Sequence, residues 1–162
     1  MSRLDSFLRR IEAQRDCLKH AAELVAKIAG PIIELGLGNG RTYDHLRVLF
    51  PTREVFAFDR RMAADPASAP DPTHLVLGDF RDTVPGALTR IGAPAALAHC
   101  DFGSGRPESN AILAAWLSLA LPPIIARGGL VVSDQELSDP RLTPLPAPPG
   151  VEAGRYFLYR RA

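Results

Sequence analysis

The chain has 162 residues, enough for one domain whose core needs neither disulfides nor metals. Nineteen basic against eighteen acidic residues leave a formal charge of +1, so no excess field points to nucleic acid or an anionic membrane. Cys17 and Cys100 form no CxxC pair, no apolar run approaches the ~18–20 residues of a membrane span, and no signal-peptide layout precedes residue 30; a cytoplasmic setting is expected.

Leu4, Phe7, Leu8 and Ile11, then Leu18, Ala21, Ala22, Val25 and Ile28, recur at helical spacing. They predict one long helix, or two abutting ones, over residues 3–29, ended by Gly30-Pro31. Residues 32–35 are a short apolar strand that breaks into the glycine loop Gly36-Leu37-Gly38-Asn39-Gly40. A helix follows over residues 42–50, with Leu46, Leu49 and Phe50 inward and Pro51 just beyond. Residues 55–58 form a second strand ending at Asp59, and the proline- and alanine-rich stretch 62–72 reads as loop without a helix.

A third strand, 75–77, leads into Gly78-Asp79-Phe80, and a helix over 82–91 is weakened or delayed by Pro85 and Gly86. A fourth strand, 95–100, ends at Asp101; a turn through Gly103 to Pro107 then opens an apolar helix over 108–121, and Gly128-Gly129 introduces a strand over 130–133. Five alternations of strand and helix indicate a doubly wound, mainly parallel α/β sheet with right-handed crossovers. The proline-rich tail leaves no room for another full helix. A short apolar piece at 142–145 and a terminal strand at 155–160 predict an antiparallel pair closing the sheet edge. The expected organisation is a single domain, 1–162, with a helical extension at 1–30 and a cofactor-binding core at 31–162.

In such a sheet ligands bind outside the carboxyl ends of the strands, and polar residues accumulate there. The strand ends carry the glycine loop, Asp59, Gly78-Asp79-Phe80, His99-Cys100-Asp101 and Ser133-Asp134. Alternate glycines let the main chain turn sharply and approach a ligand, while Asp59, nineteen residues after Gly40, is placed to accept from ribose hydroxyls. The dinucleotide fingerprint GxGxxG needs a small residue at position 41, where this chain has Arg41. Glu34, just before the loop, suits a ligand carrying an ammonium better than one carrying a diphosphate. NAD is disfavoured and an amino-acid-bearing nucleoside favoured.

Each residue also has a plainer role: the glycines a strand-to-helix turn, Asp79 a helix cap, Phe80 core packing. His99 is a candidate general base by its near-neutral ordinary pKa, with a hydrogen-bonded structural histidine as the alternative. His45 reads as structural or solvent-facing. Arg106 and Glu108 open a helix beside the site with no role assigned. Tyr156, Phe157 and Tyr159 read as edge-strand packing, or else as an oligomer interface.

Through Glu34-Leu35-Gly36-Leu37-Gly38-Asn39-Gly40, Phe58-Asp59, Gly78-Asp79-Phe80 and Gly128-Gly129-Leu130-Val131-Val132, the chain resembles the class I S-adenosylmethionine-dependent methyltransferases over about residues 30–133. The stretch Gly38-Asn39-Gly40-Arg41-Thr42-Tyr43-Asp44-His45-Leu46 is further similar to a small bacterial methyltransferase family of about this length, whose substrate is unassigned. The resemblance implies a Rossmann-like fold and S-adenosyl-L-methionine as cofactor. It implies that Glu34 sits near the methionine ammonium, that the loop from Gly36 through Leu37, Gly38, Asn39 and Gly40 to Thr42 lines the methionine and ribose, and that Asp59 takes the ribose hydroxyls with Arg60 flanking the adenine. Gly78, Asp79 and Phe80 would meet the adenine, and Asp101 would face the sulfonium and acceptor. The helix that the class places after its fifth strand is reduced here.

The expected activity is methyl transfer to a small-molecule acceptor. The Asn/Asp-Pro-Pro-Tyr/Phe signature of amino-methylating nucleic-acid enzymes is missing at Leu121-Pro122-Pro123-Ile124, and the neutral charge argues against a nucleic-acid footprint. The alternatives are a non-catalytic S-adenosylmethionine-binding protein and, less favoured, an NAD-binding oxidoreductase. His99 and Asp101 are the weak catalytic candidates, no metal site is expected, and a homo-oligomer would complete a pocket left open by the short tail.

Overall fold

A computed structural model describes residues 1–162. The first element is helix α1, Arg3–Leu24, opened by a capping box in which Ser2 and Asp5 satisfy each other's main-chain amides. It stops five residues before the predicted end. The Arg53 guanidinium reaches across to the carbonyls of Val25 and Ala26 at 3.1 and 3.2 Å and those of Ile28 and Gly30 at 2.6 and 3.3 Å, so the exit from the helix is satisfied by a distant side chain.

Strand β1, Ile32–Leu35, pairs in parallel with β2, Val55–Asp59, and with β4, Ala95–Cys100. β3, Leu75–Leu77, flanks β2, and β5, Ile125–Ser133, flanks β4. β6, Leu142–Leu145, and β7, Phe157–Arg161, close the edge antiparallel, giving the order β3-β2-β1-β4-β5-β7-β6. The Rossmann-like α/β architecture and its antiparallel edge are thus as expected. β5 starts earlier than position 130: Gly128 and Gly129 lie inside it, where the pairing jumps from Ala95↔Ile125 to Leu97↔Leu130 and Gly128 takes φ +78°.

Helix α2, Arg41–Leu49, springs from the glycine loop. The predicted helix at 82–91 is broken into α3, Phe80–Thr83, a 3-10 turn and α4, Ala87–Ile91, because Pro85 cannot donate to a continuous helical ladder. Residues 62–72 hold only the 3-10 turn Pro66–Ser68. Helix α5 spans Pro107–Ala120, with Pro107 at its first position, where the missing amide costs nothing.

Successive strand residues supply opposite faces, which makes two cores. Ile33, Leu35, Phe56, Phe58 and Val131 meet Val84, Ala87, Ala114 and Leu117 of α4, α5 and the turn before α4. Ile32, Ala57, Leu97 and Val132 meet Cys17, Leu18 and Ala21 of α1, Val25 just past its end, and Tyr43 and Leu46 of α2. The N-terminal helix is therefore a layer of the core, with each buried Leu or Val contributing about 1.5–3 kcal/mol. No helix is long and apolar enough to cross a membrane.

Candidate functional site

Parallel pairing brings the carboxyl ends of β1, β2 and β4 to one edge, where a cavity of about 870 Å³ opens beneath α1 and beside α5. The chain leaves β1 by a sharp turn at Gly36, whose φ is +97° and where a Cβ would stand 2.0 Å from the Asp101 carbonyl oxygen, so only glycine fits. Beyond it Gly38 has φ +52° and no atom near its missing side chain.

Asp59, at the end of β2, holds this loop in place. Its Oδ2 accepts from the Leu37 and Gly38 amides at 2.8 and 3.0 Å. Two loop amides that a dinucleotide's pyrophosphate would need are thereby committed, and Arg41 lines the cavity at the position the dinucleotide fingerprint reserves for a small residue. Three carboxylates, Asp59, Asp79 and Asp101, also stand in the wall among five arginines, Arg10, Arg41, Arg60, Arg81 and Arg106, and offer acceptors to hydroxyl and amine groups.

Asp79 caps α3 by accepting from the Arg81 amide at 2.9 Å, and pairs with the Arg60 guanidinium at 2.8 Å. That amide bond is the largest influence holding its carboxyl below the ordinary value; burial opposes it and Arg60 adds to it. Phe80 serves both readings: it lines the cavity and packs on the core behind β2.

Asp101, just past β4, keeps 26% of its side chain exposed; its Oδ2 accepts from Gln14 Nε2 at 2.9 Å, and its Oδ1 has only Arg10, 3.7 Å away. Behind it the Asp134 carboxylate accepts from the Gly103 and Phe102 amides at 2.8 and 3.3 Å and fixes the next loop. Burial first, and then the Asp101 charge, raise the Asp134 pKa.

Of the residues singled out from sequence, Gly36, Leu37, Gly38, Asn39, Thr42, Asp59, Arg60, Asp79, Phe80 and Asp101 line the cavity, as does Arg106. Gly40, Gly78, Glu34 and His99 do not. Gly40 is the left-handed N-cap of α2, tucked under Ser68, and Gly78 turns β3 into α3. Glu34 and His99 are wholly buried and face each other. Register places them side by side on β1 and β4, with His99 Nδ1 2.6 Å from Glu34 Oε2, while Thr42 donates to the other carboxylate oxygen. Burial presses the imidazole toward neutrality, but the charge and hydrogen bond of Glu34, with the charges of Asp101 and Asp134, together raise the His99 pKa. His99 has no surface on the cavity, both its ring nitrogens face buried side chains, and Glu34 is connected to the cavity wall through Thr42.

Reading the sequence also missed α1 as part of the site. Phe7, Arg10, Ile11 and Gln14 line the cavity. The signal was available: Phe7, Ile11, Leu18, Ala21 and Val25 define a stripe in which position 14 is the one polar member, and Gln14 is 4% exposed. Tyr156, read as edge packing, is likewise buried, with its hydroxyl 2.7 Å from His99 Nε2 and 2.9 Å from Gln14 Nε2.

A doubly wound sheet with a glycine loop and a latch carboxylate at the end of the second strand has the build of a nucleoside-cofactor domain. A family model described as S-adenosyl-L-methionine methyltransferase matches residues 1–161, and the chain belongs to that family, whose cofactor is S-adenosyl-L-methionine. It is similar to the crystal structure of an S-adenosyl-L-methionine methyl transferase from Silicibacter pomeroyi DSS-3, at 46% identity and TM-score 0.94, covering 100% of this chain and 99% of that one. At the level of fold it is similar to the sugar N-methyltransferase KedS8 from Streptoalloteichus, with 19% identity, TM-score 0.54, and 85% of this chain against 55% of that one. The antibiotic-resistance methyltransferase Kmr is similar at TM-score 0.56 and 16% identity, over 87% and 92% of the two chains. No curated protein sequence matches the chain.

Proposed function

We propose that this protein catalyses methyl transfer from S-adenosylmethionine to a small-molecule acceptor. The observation that carries the reading is the alignment, at one cavity, of the glycine loop with Asp59, Asp79 and Asp101. Bound there, the cofactor supplies an electrophilic methyl on a sulfonium and departs as S-adenosylhomocysteine. The chain supplies position and orientation. Asp59 offers Oδ1 to ribose hydroxyls while Oδ2 keeps the loop in shape, Asp79 and Phe80 meet the adenine, and Thr42, backed by Glu34, faces the methionine end. Asp101 faces the sulfonium end of the cofactor, orients the acceptor and takes its proton where the acceptor must lose one, because Oδ1 is its lightly engaged oxygen.

Neutral net charge favours a small acceptor over nucleic acid. The open side of the cavity is covered by a second copy of the chain: Phe7, in the cavity wall and 45% exposed, shares an apolar stripe of α1 with Leu4 and Leu8, which are 66% and 50% exposed. The test is transfer of an isotope-labelled methyl from S-adenosylmethionine across a panel of small amines, alcohols and carboxylates, together with tRNA and rRNA. Label in a small molecule is the expected result. Label only in RNA overturns the acceptor class, and binding without transfer to any acceptor favours a non-catalytic S-adenosylmethionine-binding protein.

A further inference from the structure

Five elements meet in one buried hydrogen-bonded chain that runs from one wall of the cavity to the other. It begins at Thr42 on α2, passes to Glu34 on β1 and His99 on β4, crosses to Tyr156 just before β7, turns to Gln14 on α1 and ends at Asp101. Glu34, His99, Tyr156 and Gln14 are all nearly or fully sealed from solvent, whereas Thr42 and Asp101 at the two ends face the cavity.

Donors and acceptors match at each link. A glutamine amide nitrogen has two hydrogens and no acceptor, so Gln14 Nε2 spends one on Tyr156 Oη and one on Asp101 Oδ2, both at 2.9 Å. In the neutral imidazole Tyr156, already accepting, donates its own hydrogen to His99 Nε2 at 2.7 Å while His99 Nδ1–H donates to Glu34 at 2.6 Å; in the imidazolium both ring N–H groups donate, Nε2–H to the Tyr156 oxygen. Thr42 completes the carboxylate. Gln14 Nε2 also lies 3.5 Å from His99 Nε2, and removing any of the buried members strands a polar atom in a sealed site.

We propose that Gln14, Tyr156 and His99 are positioning residues for the cofactor site, holding Asp101 at one end and Thr42, through Glu34, at the other, so that S-adenosylmethionine binding requires α1 and the C-terminal strand to be docked. The proposal rests on the cofactor reading above. None of the three lies in the glycine loop, and two come from the two ends of the chain, Gln14 on α1 and Tyr156 just before β7, so the hydrogen-bonded chain makes the docking of both ends a condition of the site. Tyr156 makes no hydrogen bond to Asp101, and the hydrogen-bonded link between them is the Gln14 amide.

The test is a double-mutant cycle between Tyr156 and Asp101, read by calorimetric titration with S-adenosylmethionine in the absence of acceptor. Tyr156→Phe keeps the ring and removes the hydroxyl. It is expected to weaken binding at least fivefold, as is Asp101→Asn, and the double variant is expected to bind no more weakly than the worse single variant. Losses that multiply, or unchanged affinity in either single variant, overturn the proposal, because a residue that merely stabilises the fold acts independently of Asp101. Melting curves verify folding. Should Tyr156→Phe not fold, Gln14→Leu, which cuts the same link from the helix side, takes its place in the cycle with the same expected outcomes. Wild-type protein that takes up no S-adenosylmethionine refutes the cofactor reading itself, whereas wild-type binding with a multiplicative cycle removes the positioning chain alone.

Discussion

Asp59 does two tasks with two oxygens. Oδ2 accepts from the loop amides of Leu37 and Gly38, and Oδ1 has only a long 3.4 Å contact from the Arg61 amide. The two tasks separate by substitution. Asp59→Asn keeps one oxygen for the loop and turns an amide outward, so its unfolding free energy in urea should stay within about 1 kcal/mol of wild type, whereas Asp59→Ala orphans both amides and should cost about 1–3 kcal/mol. Equal losses in the two variants would show that the latch is not what Oδ2 provides.

Asp71 is the clearest titrating contributor outside the cavity. Its carboxylate accepts from the Thr73 hydroxyl and amide and pairs with His74 Nδ1 at 2.7 Å; the Thr73 bond first, then His74, hold its pKa well below the ordinary 3.8. A depressed folded value means that the native state favours the ionised form. The stabilisation is therefore complete above 3.8 and is lost as pH falls from there through the folded value. The melting temperature of wild type should exceed that of Asp71→Asn at pH 6, and the gap should shrink on acidification below pH 4. A gap that grew on acidification would reverse the sign argued here.

Among the elements, the exit from α1 depends on one side chain. Arg53 donates to four carbonyls between Val25 and Gly30, and hydrogen bonds from a charged group contribute about 1.5–3 kcal/mol where the site is partly buried. Arg53→Ala should lower the unfolding free energy by about 2 kcal/mol in chemical denaturation; a loss below about 0.5 kcal/mol would show that solvent replaces the guanidinium. This contact also explains why periodicity overran the helix. Val25 and Ile28 continue the apolar spacing, but they pack from a turn stitched down by Arg53, a long-range partner that local pattern does not reveal.

The strands were legible for a complementary reason. Ile32–Leu35 and Ala95–Cys100 are buried on both faces, so they appear in the sequence as short uninterrupted apolar runs bounded by glycine, proline or aspartate. β5 was truncated because its bulge places Gly128 and Gly129 within the strand, where glycine ordinarily marks an end. The cavity wall from Gly36 to Asp101 was legible because topology alone brings strand ends together. Glu34 and His99 were not, since their direction depends on the β1–β4 register and on Tyr156, 57 residues from His99.

At the scale of the whole molecule, the two cores lie on opposite faces of one sheet, and the cavity sits at the carboxyl edge with α1 as its roof. The roof's N-terminal half carries Leu4, Phe7 and Leu8 into solvent, which is the basis for a second copy of the chain at that face. Light scattering at micromolar concentration should give a dimer mass, and Leu8→Glu should return it to a monomer; a monomeric wild type removes the second copy.

The central claim is that this edge of the sheet is an S-adenosylmethionine site, and calorimetry with S-adenosylhomocysteine tests it most directly. The account predicts saturable one-site binding by wild type, at least tenfold weaker binding by folded Asp59→Asn, and no heat on titration with NAD. Wild-type affinity in Asp59→Asn, or binding of NAD in place of S-adenosylhomocysteine, would contradict it.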